Sequence, residues 1–252
     1  MLTEKRVIFQ AGRMWYAKQY LPLRGAAPSS QRRERRDYST QIRNVINFRT
    51  SKEKLWLLLE CNFGPDDLYV SVSYRDENLP KTKDRAERNL TWFIRALRTE
   101  RAAKGQDLVY IRVTEGLHGD HRLHHHLIIN ATGDDYKTIR QLWSKFGDSV
   151  KIYPYKCKSP YEHAEYLTKE PKEKGRRKVG ERMWRISRNA KRPVVTTVDV
   201  PQGEELLVPP GYVEMESRNK DNTFGRFQYK AAILKPDAEN PNLGQCIIIG
   251  KA

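Results

Sequence analysis

Three consecutive histidines, His124, His125 and His126, stand in the run LHHHLIIN. The run is rich in strand formers. On a strand alternate side chains share a face, so His124 and His126 point one way and His125 and Leu127 the other. Two imidazoles at i and i+2 can hold one metal ion between them, although a bare pair is as readily structural or pH-responsive. A second strand-like run, YIRVTE, ends in Glu115, and the loop joining the two runs is short enough for a tight hairpin. Its carboxylate is the candidate third ligand; the plain alternative is an exposed acid at a strand end. Two histidines and a carboxylate with open positions suit Mg²⁺ or Mn²⁺ while a phosphate oxygen fills another position. His118 and His121 fall in the intervening loop and read as solvated side chains.

Downstream, EYLTKEP carries Tyr166 and Lys169 on a predicted helix. A spacing of three residues puts the phenol and the ammonium on one helical face. A phenol is a poor nucleophile at neutral pH, because its pKa is about 10. Beside a divalent cation and a lysine its oxyanion becomes accessible, and the same cation polarises a phosphate under attack. A tyrosine on an amphipathic helix is commonly a packing residue, so the motif gains its meaning from the histidine run before it.

These residues need elements to carry them. Leu68 to Tyr74 alternates as a strand and ends at the turn RDENLP; Asp84 to Lys104 has Leu90, Phe93, Ile94 and Leu97 at helical spacing and stops at Gly105. Strands follow at Leu108 to Glu115 and Leu123 to Asn130, then a helix at Asp135 to Phe146, a strand at Ser149 to Tyr153 and a helix at Ser159 to Glu170. The order β, α, β, β, α, β, α is the split βαβ pattern of ferredoxin-like and RRM-like domains. It predicts an α+β fold, a mostly antiparallel sheet with helices packed on it. Before it, residues 1–64 combine an aromatic, strand-like opening, a basic loop with Arg32, Arg33, Arg35 and Arg36, and a helical scaffold element from about Tyr38 to Leu59. The catalytic unit is expected at 65–190, with an extended tail at 191–252 packed on it or separate. Lys172, Lys174, Arg176, Arg177 and Lys178 form a second basic run after Pro171.

Composition narrows the partner. Among 252 residues, 47 Lys and Arg outnumber 31 Asp and Glu, a formal charge of +16 that suits a polyanion. The aromatic content is too high for a wholly disordered chain. No apolar stretch is long enough to span a membrane, and the opening residues lack a signal-peptide core, so the expected location is the cytosol. Cys61, Cys157 and Cys246 are odd in number and far apart, and read as reduced thiols. The segment Gly244 to Lys251 has five residues between its glycines and no Ser or Thr after the lysine. It is no phosphate loop, and no fused ATPase is expected.

The ordered set LYVSVSYRDENLP, YIRVTE, HRLHHHLIIN and EYLTKEP resembles the rolling-circle replication initiators of the HUH endonuclease superfamily, and more narrowly those of small plasmids, phages and integrated mobile elements. The likeness covers Leu68 to Pro171 and extends weakly to Ser187 to Asn189. It implies a divalent metal, Mg²⁺ or Mn²⁺, held by His124, His126 and a third ligand for which Glu115 is the candidate. It implies Tyr166 as the nucleophile, with Lys169 beside it, and a structural or DNA-contacting role for the strand Tyr69 to Tyr74. The middle residue of the motif should be hydrophobic and here is His125; with Leu123 and Leu127 on either side, only His124 and His126 can form the pair. Tyr161 precedes Tyr166 by a rotation of about 140° on an ideal helix and is expected to face elsewhere. The resemblance further implies site-specific nicking and joining of single-stranded or hairpin origin DNA through a 5′-phosphotyrosine, without ATP, with a host polymerase and helicase as partners. The basic residues named above, together with Arg122, would hold the DNA backbone. Two rivals are a single-strand transposase or relaxase with the same chemistry, and a non-catalytic RRM-like binding module. The second lacks its aromatic signature, which GRFQYKAAI at 225–233 fits poorly.

Overall fold

The structure, a computed structural model, describes residues 3–12, 14–20, 41–116, 122–156, 160–168, 182–204, 232–234 and 245–250. In chain order they form β1 (Thr3–Ala11), β2 (Met14–Tyr20), α1 (Gln41–Asn62), β3 (Leu68–Ser73), α2 (Lys83–Ala102), β4 (Tyr110–Glu115) and β5 (His124–Ile129). There follow α3 (Asp135–Trp143), β6 (Val150–Pro154), α4 (Pro160–Thr168), β7 (Trp184–Ile186), β8 (Val194–Pro201), β9 (Ala232–Leu234) and β10 (Gln245–Gly250).

Leu68, Val70 and Val72 of β3 are buried and alternate with half-buried Tyr69, Ser71 and Ser73, the pattern of a strand that covers one layer with each face. β3 pairs antiparallel with β5 and β6, β5 with β4, and β4 with β7, giving the order β6-β3-β5-β4-β7. The first four strands in chain order therefore stand fourth, first, third, second across the sheet, as the βαββαβ pattern expects. The fold is α+β, with helices packed on antiparallel sheets. β7, which the periodicity of the sequence did not mark as a strand, adds the outer edge.

α2 and α3 cover one face. Thr82 caps α2, its hydroxyl accepting from the Arg85 amide at 3.3 Å, and Gly105 ends the helix region with φ of 68°. Between them Ala86, Leu90, Phe93, Ile94 and Leu97 bury the stripe that the sequence announces. Each of the larger side chains stabilises the fold by about 1.5–3 kcal/mol. α3 seats Ile139 and Trp143 in the same core. The two helices are tied by Arg101, whose guanidinium donates to Asp135 at 2.6 Å and to the Asn130 side chain and carbonyl at 2.8 and 2.7 Å; both charged side chains are 3% exposed.

The opposite face meets α1 and α4. α1 buries Leu55 to Leu59 without a break because it is enclosed on two sides: by Ile111, Val113 and Ile128 of the central sheet with Ala164 and Leu167 of α4, and by Ala11, Met14 and Tyr16 of the β1–β2 hairpin. That hairpin belongs to a second antiparallel sheet of order β8-β1-β2-β10-β9. The stranded opening and the long extended tail of the sequence thus pair with each other. Gly12 sits at the hairpin turn with φ of 57°, and a Cβ there would lie 2.2 Å from the Glu60 carbonyl oxygen, so the turn packs directly on the end of α1.

Candidate active site

Register decides what converges. β4 and β5 place Glu115 opposite His124 and Val113 opposite His126, while β3 sets Ser71 against His126 and Ser73 against His124. The α1/α4 face of the sheet therefore carries Glu115, His124 and His126 together. His124 Nε2 lies 3.2 Å from Glu115 Oε2, His126 Nε2 lies 3.5 Å from the same oxygen, and the two Nε2 atoms are 3.0 Å apart. Ligand bonds of about 2.1 Å meeting at right angles put neighbouring donor atoms about 3 Å apart, so these three atoms fit one triangular face of a six-coordinate divalent ion.

Hydrogen bonds on the far sides of the rings favour the same reading. His124 Nδ1 is 2.8 Å from the Arg122 carbonyl, which can only accept, so the proton is on Nδ1 and the Nε2 lone pair faces Glu115. His126 Nδ1 is 2.6 Å from the Tyr69 hydroxyl, which can accept a proton in the same way. Burial alone pushes the Glu115 carboxyl up, but hydrogen bonds from His124 and His126 and their charge outweigh it and hold the group at about 2. An ionised oxygen and two nitrogen lone pairs at this spacing repel one another unless a proton or a metal cation lies among them.

His125 turns to the other face, where it is fully buried. Its Nε2 is 2.7 Å from the Tyr74 hydroxyl and its Nδ1 2.9 Å from Thr114 Oγ1, and its ring meets Trp143 edge-on. Burial, with the nearby Arg112 charge, lowers its pKa to about 3, so the ring is neutral and serves as a core residue. The departure from a hydrophobic middle residue is thus absorbed by two hydroxyl partners.

α4 stands over the triad. It buries Ala164, Leu167 and Thr168 and leaves Tyr166 48% exposed, with its ring centroid 6.2 Å from that of His126. Burial and the Glu115 charge raise the Tyr166 pKa, so the phenol is protonated at neutral pH. Tyr161 packs edge-on against Trp56 under Lys52, away from the triad. Reasoning from sequence missed two neighbours. Tyr69 stacks on His126 at 5.4 Å, and His163, one turn before Tyr166, packs against Tyr69, Tyr155 and Tyr166. Burial lowers the His163 pKa to about 4. Alternation along β3 is the signal for Tyr69; nothing local marks His163, which depends on how α4 docks.

The basic residues fare differently. Arg122 donates to the Tyr74 carbonyl at 2.8 Å and pairs with Asp76 at 2.7 Å. Lys169, Lys172, Lys174, Arg176, Arg177 and Lys178 lie outside the described residues, as do Arg32, Arg33, Arg35 and Arg36 and the loop histidines His118 and His121.

Residues 67–174 match a family model described as a replication-associated protein of the ORF2 type. The match supports a replication initiator of the Rep type, and hence DNA as the partner. It begins at the turn before β3 and ends beyond α4, so it takes in Glu115, His124, His126, Tyr166 and Lys169 while leaving out the second sheet. No curated protein and no solved structure matches the chain. Among the described residues no helix is long and apolar enough to cross a membrane.

Proposed function

We propose that the chain is a rolling-circle replication initiator that nicks and rejoins single-stranded origin DNA through a 5′-phosphotyrosine at Tyr166. The observation that carries the reading is the placement of Tyr166 on the same side of the sheet as a converging Glu115–His124–His126 set, within the span that matches a replication-associated family. Glu115, His124 and His126 would hold a divalent ion. Their two nitrogen donors favour Mn²⁺ over Mg²⁺, whose preferred ligands are oxygens. When bound, the ion withdraws charge from the phosphate and offsets the Glu115 field that keeps Tyr166 protonated.

The chain's own groups do the rest. Arg122 and Tyr69 hold the two imidazoles in one tautomer and orientation. α4 presents the Tyr166 oxygen to the phosphorus from an exposed position. A bond forms between that oxygen and phosphorus as the bond to the 3′ oxygen breaks; Tyr166 gives up its proton and the departing oxygen gains one as a 3′-hydroxyl. One phosphodiester is exchanged for another, so the reverse step reseals the strand and no ATP is needed. The free 3′-hydroxyl suits a host polymerase, and unwinding falls to a host helicase. Residues 65–190 form the catalytic unit in this reading, Lys169 assists the tyrosine, and the basic runs on either side grip the backbone.

Tyr166→Phe is expected to abolish the covalent adduct with an origin oligonucleotide, seen as a shifted band on a denaturing gel. EDTA should stop cleavage while most DNA binding persists. An adduct of wild-type yield from the variant, or cleavage undiminished in EDTA, refutes the assignment. A non-catalytic RRM-like module would give no adduct under any condition.

A further inference from the structure

At the outer edge of the central sheet lies a shallow cleft lined by Lys83, Glu87, Arg112, Thr114, Arg182 and Arg185, on the α2 side and therefore distinct from the metal triad. Four cationic side chains surround one carboxylate. Glu87 is shared three ways, at 3.1 Å from Arg112 Nη2, 3.4 Å from Thr114 Oγ1 and 3.5 Å from Arg185 Nε. Arg112 is the unusual member: its side chain is only 8% exposed, and its buried Nε has no hydrogen-bond partner. A buried guanidinium with a donor unmet is costly unless an anion completes it.

The position of the cleft indicates which anion. β7 pairs with β4 only from Ile111 to Val113, while β4 runs on through Thr114 to Glu115. Continuing the antiparallel register past Trp184 would bring Arg182 level with Glu115, at the point where, among the described residues, no strand covers β4. We infer that this cleft is a phosphate site for the single-stranded DNA flanking the cleaved bond, which passes from the triad over the open sheet edge. The inference rests on the function proposed above. Guanidinium forks match phosphate oxygens in planar geometry and carry no base information, so the contact is independent of sequence. Glu87 holds the forks apart from one another and keeps the cleft formed without DNA.

The test uses the whole chain in EDTA, with a fluorescent oligothymidylate as probe, so that binding is read without cleavage. Arg182→Gln with Arg185→Gln removes two exposed cationic groups and spares buried Arg112. Lys137→Gln with Arg140→Gln, exposed on α3, removes the same charge elsewhere. The cleft pair should weaken binding roughly tenfold near 0.15 M salt and make the plot of log affinity against log salt shallower by about 1.4, at about 0.7 per phosphate contact on a single strand. The α3 pair should change both far less. Equal losses from the two pairs, or none from the cleft pair, overturn the site. If the wild type still forms its adduct in metal-containing buffer, that result leaves the proposed function standing; a wild type that does not bind the probe at all overturns both.

Discussion

At the scale of single residues, the chemistry depends on groups that are one hydrogen bond removed from it. Tyr69 is the clearest. Its hydroxyl sits 2.6 Å from His126 Nδ1 and its ring stacks on the imidazole, so it sets both tautomer and plane. Tyr69→Phe keeps the stack and loses the hydrogen bond. Metal affinity, measured by titration of Mn²⁺ with electron paramagnetic resonance, should fall 10–100-fold with the fold intact; unchanged affinity would assign Tyr69 to packing alone. His125 shows how context changes a residue's meaning. Three adjacent histidines look equivalent in a string of letters, and alternation alone separates two exposed to the site from one sealed in the core. That the core one tolerates burial depends on Tyr74 and Thr114, which belong to other strands.

At the scale of elements, two joints hold the site in place. Arg101 binds the end of α2 to the start of α3 through a pair that is almost wholly buried. Arg101→Ala leaves Asp135 charged and unpaired, and should cost about 3–5 kcal/mol in a urea unfolding titration. The second joint is the end of α1, where burial raises the Glu60 carboxyl from 4.5 to about 7 against a 3.2 Å hydrogen bond from Trp56. Because the folded value lies above the unfolded one, the fold prefers the protonated acid. The advantage is complete below about pH 4.5, and it is lost as pH rises through about 7. The wild type should therefore lose up to about 1.4 kcal/mol per pH unit across that window relative to Glu60→Gln, and urea midpoints of both proteins at pH 4.5 and 7.5 measure it. Equal pH profiles would show that the carboxyl is solvated. Neither joint was legible in the sequence, since Arg101 and Glu60 read there as ordinary charges on helix surfaces.

At the scale of the whole molecule, the charge of +16 governs association with DNA. If about six phosphates are neutralised, affinity for a single strand should drop by a few hundredfold between 50 and 200 mM salt in an anisotropy titration, and a flat response would contradict a large electrostatic footprint. The central sheet was readable in advance because its signals are local: period-two runs for β3, β4 and β5, a 3.6-residue stripe for α2, and glycine and proline at the boundaries. The second sheet was not. β1 pairs with β8, and β2 with β10, across nearly the whole length of the chain, and such pairing leaves no mark in any window of ten residues. The site divides along the same line. Residue types and spacing by themselves determined that two histidines share a face, that an acid ends the neighbouring strand, and that a tyrosine rides a later helix, because covalent geometry enforces strand alternation and helical rotation. Only the tertiary structure decided that these groups meet, that His163 and Tyr69 stand between them, and that Arg112 is buried at an open edge, because strand register and helix docking are settled by what must be buried together.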